Sequence, residues 1–118
     1  PGAADYIFEK MGRGILLNEA DGAKRLPIKA PGEGEPVIPP STTHLIPVIG
    51  LSALGNSLDE THAFRPQLIS KITGQPLGDT ITEMTVAQLF THPEGVSKGA
   101  PPKAKILPLL NQADNTSS

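Results

Sequence analysis

Two acids and three cations crowd into eleven positions near the start of the chain, where Glu19-Ala20-Asp21-Gly22 is followed by Lys24, Arg25 and Lys29. They come directly after the apolar run Ile15-Leu16-Leu17, bounded on its left by Gly12 and Gly14, so the pattern predicts a buried strand over 14–19 that closes on its charges. In an open α/β sheet, ligands bind outside the carboxyl ends of the strands. If the strand persists through Asp21, its two-residue period sets Glu19 and Asp21 on one face, able to hold Mg²⁺ directly or through water. Lys24, Arg25 and Lys29 then bring the opposite charge that a phosphate requires, Arg25 by bidentate contact and the lysines as point charges. A plainer reading stands beside this one. Asp-Gly is a common turn dipeptide, and loop cations more often serve solubility than chemistry.

A second polar cluster, Asn111-Gln112-Ala113-Asp114, follows another strand-like run over 103–111. In many nucleotide-binding proteins an Asn-Lys-x-Asp at such a place reads guanine, the Asp accepting hydrogen bonds from the base and the Asn holding the loop. Gln112 stands here where that pattern has lysine, and a neutral amide lacks the cationic stem that packs along the base. Four polar residues after a strand are otherwise an ordinary turn. His62 and Arg65 flank a predicted helix start, where backbone N–H groups favour anions, and His92 precedes Pro93-Glu94-Gly95. No His pairs with another at metal-ligand spacing and there is no Cys, so thiolate metal sites and disulfides are excluded. Neither a Gly-x-Ser-x-Gly elbow nor a Gly-x-x-x-x-Gly-Lys-[Ser/Thr] phosphate loop occurs, which leaves no catalytic residue to assign.

The elements that must position these residues follow from apolar spacing and punctuation. Ile7, Phe8 and Met11 form a short helical face that Gly12 ends. Residues 20–43 hold five prolines and three glycines, so neither helix nor ladder is expected to be sustained across them, and a loop that long is usually functional. Residues 44–50 read as a strand that Pro47 pushes toward an edge or a bulge. Pro66 opens a helix of about ten residues with Phe64, Leu68, Ile69 and Ile72 on one face and Gly74 as its stop. Thr82 caps another, with Val86, Leu89 and Phe90 inward and Pro93 and Gly95 beyond its end. Apolar rather than alternating strands, interleaved with helices, argue for an α/β domain with a largely parallel, buried sheet and flanking helices.

Composition narrows the function classes. Leu, Ile, Val and Phe supply 30 of the 118 residues, enough for one modest aliphatic core, while 12 Gly and 13 Pro make much of the chain loop. Residues 1–118 therefore read as a single α/β domain or a fragment of one. Opening at Pro1 and closing on polar Asn115-Thr116-Ser117-Ser118, the chain reads as part of a longer protein. Ten Lys and Arg against twelve Asp and Glu give a net charge of −2 and no basic run, which disfavours a nucleic-acid partner. The longest apolar stretch, 45–51, falls far short of the roughly 20 residues of a membrane span. The absence of cysteine and of a basic-then-apolar opening fits a cytoplasmic location.

The run from Glu19 through Lys24-Arg25-Leu26-Pro27-Ile28-Lys29-Ala30-Pro31, then Glu35-Pro36-Val37-Ile38-Pro39-Pro40, resembles the YqeC family of accessory proteins for selenium-dependent hydroxylases. Val48 to Gly55, His62-Ala63-Phe64-Arg65-Pro66, His92-Pro93-Glu94-Gly95, Lys98-Gly99 and Asn111-Gln112-Ala113-Asp114 continue the resemblance in order, from about Ile15 to Asp114. It implies a P-loop NTPase-like nucleotide-binding fold, present here as an incomplete domain whose Gly-rich loop lies N-terminal to these residues. The implied role is in maturation of selenium-dependent molybdenum hydroxylases, with such an enzyme or its maturation proteins as partner. Glu19 and Asp21 match the family's acidic strand end and would hold Mg²⁺ with a nucleoside triphosphate. Lys24, Arg25 and Lys29 match its basic loop, and Asn111 and Asp114 its usual Asn-Lys-Ala-Asp, from which Gln112 departs. His62, Arg65, His92 and Lys98 fall in its other motifs. The rival reading is a non-enzymatic module that docks a molybdenum enzyme or a cofactor carrier through the proline-rich loop over 29–40, its prolines lowering the entropy lost on binding.

Overall fold

A computed structural model describes residues 2–19 and 22–112. The elements run α1 (Gly2–Met11), β1 (Ile28–Lys29), β2 (His44–Leu45), β3 (Val48–Gly50), a 3-10 turn (Leu51–Ala53), β4 (Ala63–Phe64), α2 (Pro66–Thr73), α3 (Glu83–Thr91), β5 (Lys105–Ile106) and β6 (Leu109–Asn111). The strands form three parallel pairs, β1 with β4, β2 with β5 and β3 with β6. The molecule is thus α/β, with short parallel strand pairs and three α-helices among the described residues.

Two of these pairs are one ladder interrupted once. His44 faces Lys105, Leu45 faces Ile106, and Val48 to Gly50 face Leu109 to Asn111, the same offset of 61 positions throughout, so Pro47 stands opposite Pro108. Lys105 N–H donates to Thr43 O at 2.9 Å, Leu107 N–H to Leu45 O at 2.8 Å and Leu109 N–H to Pro47 O at 2.8 Å. The return bond that position 47 would donate is missing, because proline has no N–H, and the ladder breaks there. Pro47 thus marks a break within the strand over 44–50, and the side chain is buried there. Gly50 N–H donates to Pro27 O at 2.7 Å and ties β3 to the approach of β1.

The core lies to one side. Ile28, Ile49, Leu58, Ile69, Ile81 and Leu89 are fully buried, with Leu68, Ile72 and Phe90 packed against them. Pro66 occupies the first turn of α2, and Gly74, at φ 78° in the left-handed region, closes it by donating its N–H to Ser70 O at 2.8 Å. Thr82 caps α3 in a reciprocal arrangement with Thr85, whose buried hydroxyl donates to Gln75 Oε1 at 2.5 Å. Both helices thus form where the apolar spacing puts them. Phe64 is an exception, since it belongs to β4 and precedes the helix instead of lying on its face.

Two expectations are corrected. Residues 14–19 form no strand, and Ile15 and Leu17 are each 85% exposed. An apolar run becomes a buried strand only where neighbours cover it and accept its backbone groups, and among the described residues nothing pairs with this one. The sheet is likewise not a largely buried one, because β5 and β6 are exposed at every residue. The loop over 20–43 does carry one rung pair, since Ile28 and Lys29 pair with β4, and Ala30, Pro31 and Gly32 are buried behind them. That segment is part of the framework.

Candidate functional site

Two concavities carry the chemically interesting residues. The larger, about 1420 Å³, runs along β2 and β3 and is bordered by residues 14–19 and by Ala4 and Phe8 of α1. Glu19, Arg25, Lys29, Asn111 and Gln112 all border it, so four candidate site residues separated by up to 92 positions open onto one groove. Its end is built by the ladder. Asn111 is held beside Gly50 by register, and the Gly50–Pro27 bond brings in the turn at Lys24 and Arg25. Gln112 has φ 60°, and its side chain turns back so that Oε1 accepts from the Ser52 hydroxyl at 2.5 Å. A Cβ on Gly50 would meet that same oxygen and come within 2.9 Å of the Pro27 Cβ, so the close approach of these segments makes use of a glycine. Where the nucleotide pattern has a lysine stem for the base, this chain uses a neutral amide to lock two strand ends together.

The smaller concavity, about 350 Å³, is bordered by Lys24, Glu60, Phe64, Arg65 and Gln67. Three cations surround the Phe64 ring: Lys24 Nζ and Lys29 Nζ each lie 5.3 Å from its centroid and the Arg65 guanidinium carbon 4.4 Å. Arg65 Nη1 also donates to Glu35 Oε1 at 2.5 Å, and that carboxylate accepts the Gly32 N–H at 3.3 Å. The Arg65 hydrogen bond, then the Gly32 N–H, hold the Glu35 carboxyl below its ordinary range, against a smaller upward push from desolvation. Lys29 Nζ donates to Gly22 O at 2.6 Å. Lys24, Arg25 and Arg65 have φ of 51°, 64° and 59°, so three of the four left-handed non-glycine residues described are cations at this junction.

The remaining candidates have structural partners. His62 Nδ1 lies 2.8 Å from Asp59 Oδ1, an oxygen that also accepts the N–H groups of Thr61 and His62, so this histidine brackets a turn. Partial burial pushes the Asp59 carboxyl up, but the hydrogen bond and charge of His62 with those two N–H groups outweigh it and hold the group down. His92 Nδ1 accepts the Glu94 N–H at 3.0 Å, and Lys98 Nζ donates to Gly32 O at 3.3 Å and pairs with Glu94 at 3.4 Å. Asp21 and Asp114 lie outside the described residues, and among those described no three His, Asp or Glu side chains gather as a metal site. Phe64 and Glu35 went unrecognised as site residues. Both lie in motif strings quoted above, but nothing in linear order links position 35 to position 65.

Fold and grooves together define a parallel-stranded α/β protein with a mainly apolar groove along its strands, bordered by a few charged and amide side chains, and a cluster of cations round Phe64. A sequence model described as YqeC protein matches residues 2–67, more than half of the chain, and the chain belongs to that family. It is 31% identical over 112 residues to a protein of Escherichia coli (strain K12) named "Uncharacterized protein YqeC". That alignment takes in 95% of this chain and 44% of the relative, so the chain spans less than half the length of the curated relative it matches. No solved structure matches. Among the described residues no helix is long and apolar enough to cross a membrane.

Proposed function

We propose that this chain is the nucleotide-contacting portion of a cytoplasmic, P-loop NTPase-like accessory protein that serves maturation of selenium-dependent molybdenum hydroxylases. The observation that carries the reading is the convergence of Glu19, Arg25, Lys29 and Asn111 on one groove. Arg25 and Lys29 have the charge for phosphate oxygens, and Asn111 at the end of a parallel strand has an amide for a base. Glu19, exposed on the border of the same groove, fits a magnesium ion held chiefly by phosphate oxygens and water, as Mg²⁺ prefers. Asp21 is its proposed companion and Asp114 the companion of Asn111. Calorimetric titration of the chain with Mg²⁺-ATP and Mg²⁺-GTP is the test. Binding that weakens about tenfold in Arg25→Ala, the worth of one charge-assisted contact, is the expected result. No saturable heat with either nucleotide, or equal affinity in the variant, would overturn the assignment.

The proline-rich loop favours a second reading, in which the hydroxylase or a cofactor carrier docks on it. Arg65 holds it at Glu35 and Lys98 at Gly32, while Val37 is 45% exposed, which presents an apolar contact on a proline-stiffened loop. Val37→Asp should then lose capture of the purified hydroxylase with nucleotide binding intact. Capture unchanged by the substitution would remove the loop from the interface.

A further inference from the structure

We propose that the groove along β2 and β3 is the seat of one more β-strand, apolar in composition and parallel to them, supplied by a part of the longer protein outside these 118 residues. The inference does not rest on the nucleotide reading, which concerns the charged and amide side chains on the groove's border.

Backbone hydrogen bonding is the first argument. Lys105, Leu107 and Leu109 donate to Thr43, Leu45 and Pro47, and the register sets Leu45 and Ile49 to donate back, so the odd-numbered residues over 43–49 face the strand over 105–111. The even-numbered ones face the other edge. There Gly50 N–H reaches Pro27 O at 2.7 Å, but among the described residues the N–H groups of His44, Ile46 and Val48 have no acceptor. All three residues border the groove. Donors left open at every second position are a template for an extended segment of about five residues, roughly 16 Å long. The rest of the border gives the second argument. Every residue from Gly14 to Glu19 lines the same groove, and Ile15 to Glu19 make no backbone hydrogen bond among the described residues. A strand seated in the groove meets open backbone there too, and it takes Ile15, Leu17, Ile46 and Val48, all exposed, out of water. Size is the third, because about 1420 Å³ exceeds the roughly 300–1,000 Å³ of small-molecule sites, so a nucleotide alone does not fill it. The direction and source follow from the pairing already present. Every described strand pair is parallel, parallel sheets are stable when both faces are covered, and a parallel strand is joined by a long crossover connection. More than half of the Escherichia coli relative lies outside the alignment, which is length enough for such a strand and its crossover.

The test is hydrogen exchange resolved to single amides, in this chain alone and in the full-length protein that contains it, without nucleotide. In the chain alone, His44, Ile46 and Val48 should exchange faster than Leu45 and Ile49. In the full-length protein the same three are expected to slow by about tenfold or more relative to Ile69 and Leu89, whose rates correct for any gain in global stability. Alternation is the signature, since an extended segment is what accepts from every second amide of an edge. Slowing that is the same at every protein concentration assigns the strand to the same polypeptide, whereas slowing that appears only as concentration rises would overturn that source in favour of a second copy. Three amides that stay fast in the full-length protein, or that are already slow in the isolated chain, would overturn the seat. Neither result bears on nucleotide binding, which calorimetry reads separately.

Discussion

Arg65 sets more of this molecule's geometry than its place before a helix suggests. Its backbone turns left-handed to start α2, its guanidinium covers Phe64, and the same group fastens Glu35 of a loop 30 positions away. Glu35 is held below the ordinary carboxylate range mainly by that hydrogen bond, so it binds its proton less readily folded than unfolded. The contribution to stability is therefore complete above the unfolded value and is lost as pH falls through the lowered folded one. Acid unfolding followed by circular dichroism should accordingly be less steep in Glu35→Gln than in the parent, below about pH 4. An identical acid limb would show that the loop is held by something else. Gly95 makes a second prediction at this scale. A Cβ there would run into the carbonyl oxygen of Leu89, which already accepts the Val96 N–H at the end of α3. Since backbone rather than a flexible side chain blocks the space, Gly95→Ala should cost about 1–3 kcal/mol in chemical denaturation.

At the scale of elements, local chemistry and long-range pairing divide what the sequence reveals. The helices α2 and α3 were legible because each carries its own start and stop: Pro66 and Gly74 for one, Thr82 with Pro93 and Gly95 for the other. These predict graded losses. Thr82→Ala should cost about 1 kcal/mol through the cap, and Leu89→Ala, emptying a fully buried site in the packed core, about 2–5 kcal/mol. A larger loss from the cap than from the core would contradict this packing. The apolar run over 14–19 departs from its strand-like pattern for the complementary reason: residue types cannot say whether a partner strand is present. The loop over 20–43 sustains no helix or ladder among its described residues, and what composition could not show is that two of them, with register partners at 63 and 64, anchor it. Glu19, Arg25, Lys29 and Asn111 were legible as candidates from their residue types and their places after apolar runs, but their sharing one groove was not, and Glu19 follows a run that forms no strand. Phe64 and Glu35 were not legible, since their link to the cations exists only after β4 has paired with β1.

On the scale of the whole molecule, the packed half and the open half differ in kind. The radius of gyration is 15.2 Å, against about 13.5 Å for a compact chain of this length, and the extents of 47 × 30 × 23 Å describe an elongated body. The excess has a structural source: α1 has no buried residue, and Ile106, Leu107, Leu109 and Leu110 are each 44–48% exposed. The ladder defines a further asymmetry. Lys105, Leu107 and Leu109 direct their N–H groups to the carbonyls of Thr43, Leu45 and Pro47, so by alternation Ile106 and Leu110 direct theirs to the opposite edge, where no described strand pairs. Pro108 falls on that same edge and removes a donor from it, which is one way edge strands are made poor templates for further pairing. Exposed side chains and one-sided pairing mean that the strand over 105–111 can open without disturbing Ile69 or Leu89. Amide hydrogen exchange should therefore show Lys105, Leu107 and Leu109, although hydrogen-bonded, exchanging well before Ile69 and Leu89, while Ile106 and Leu110 exchange first of all. Equal protection at 107 and 89 would mean that the two halves unfold as one unit, and the division drawn from burial would fail.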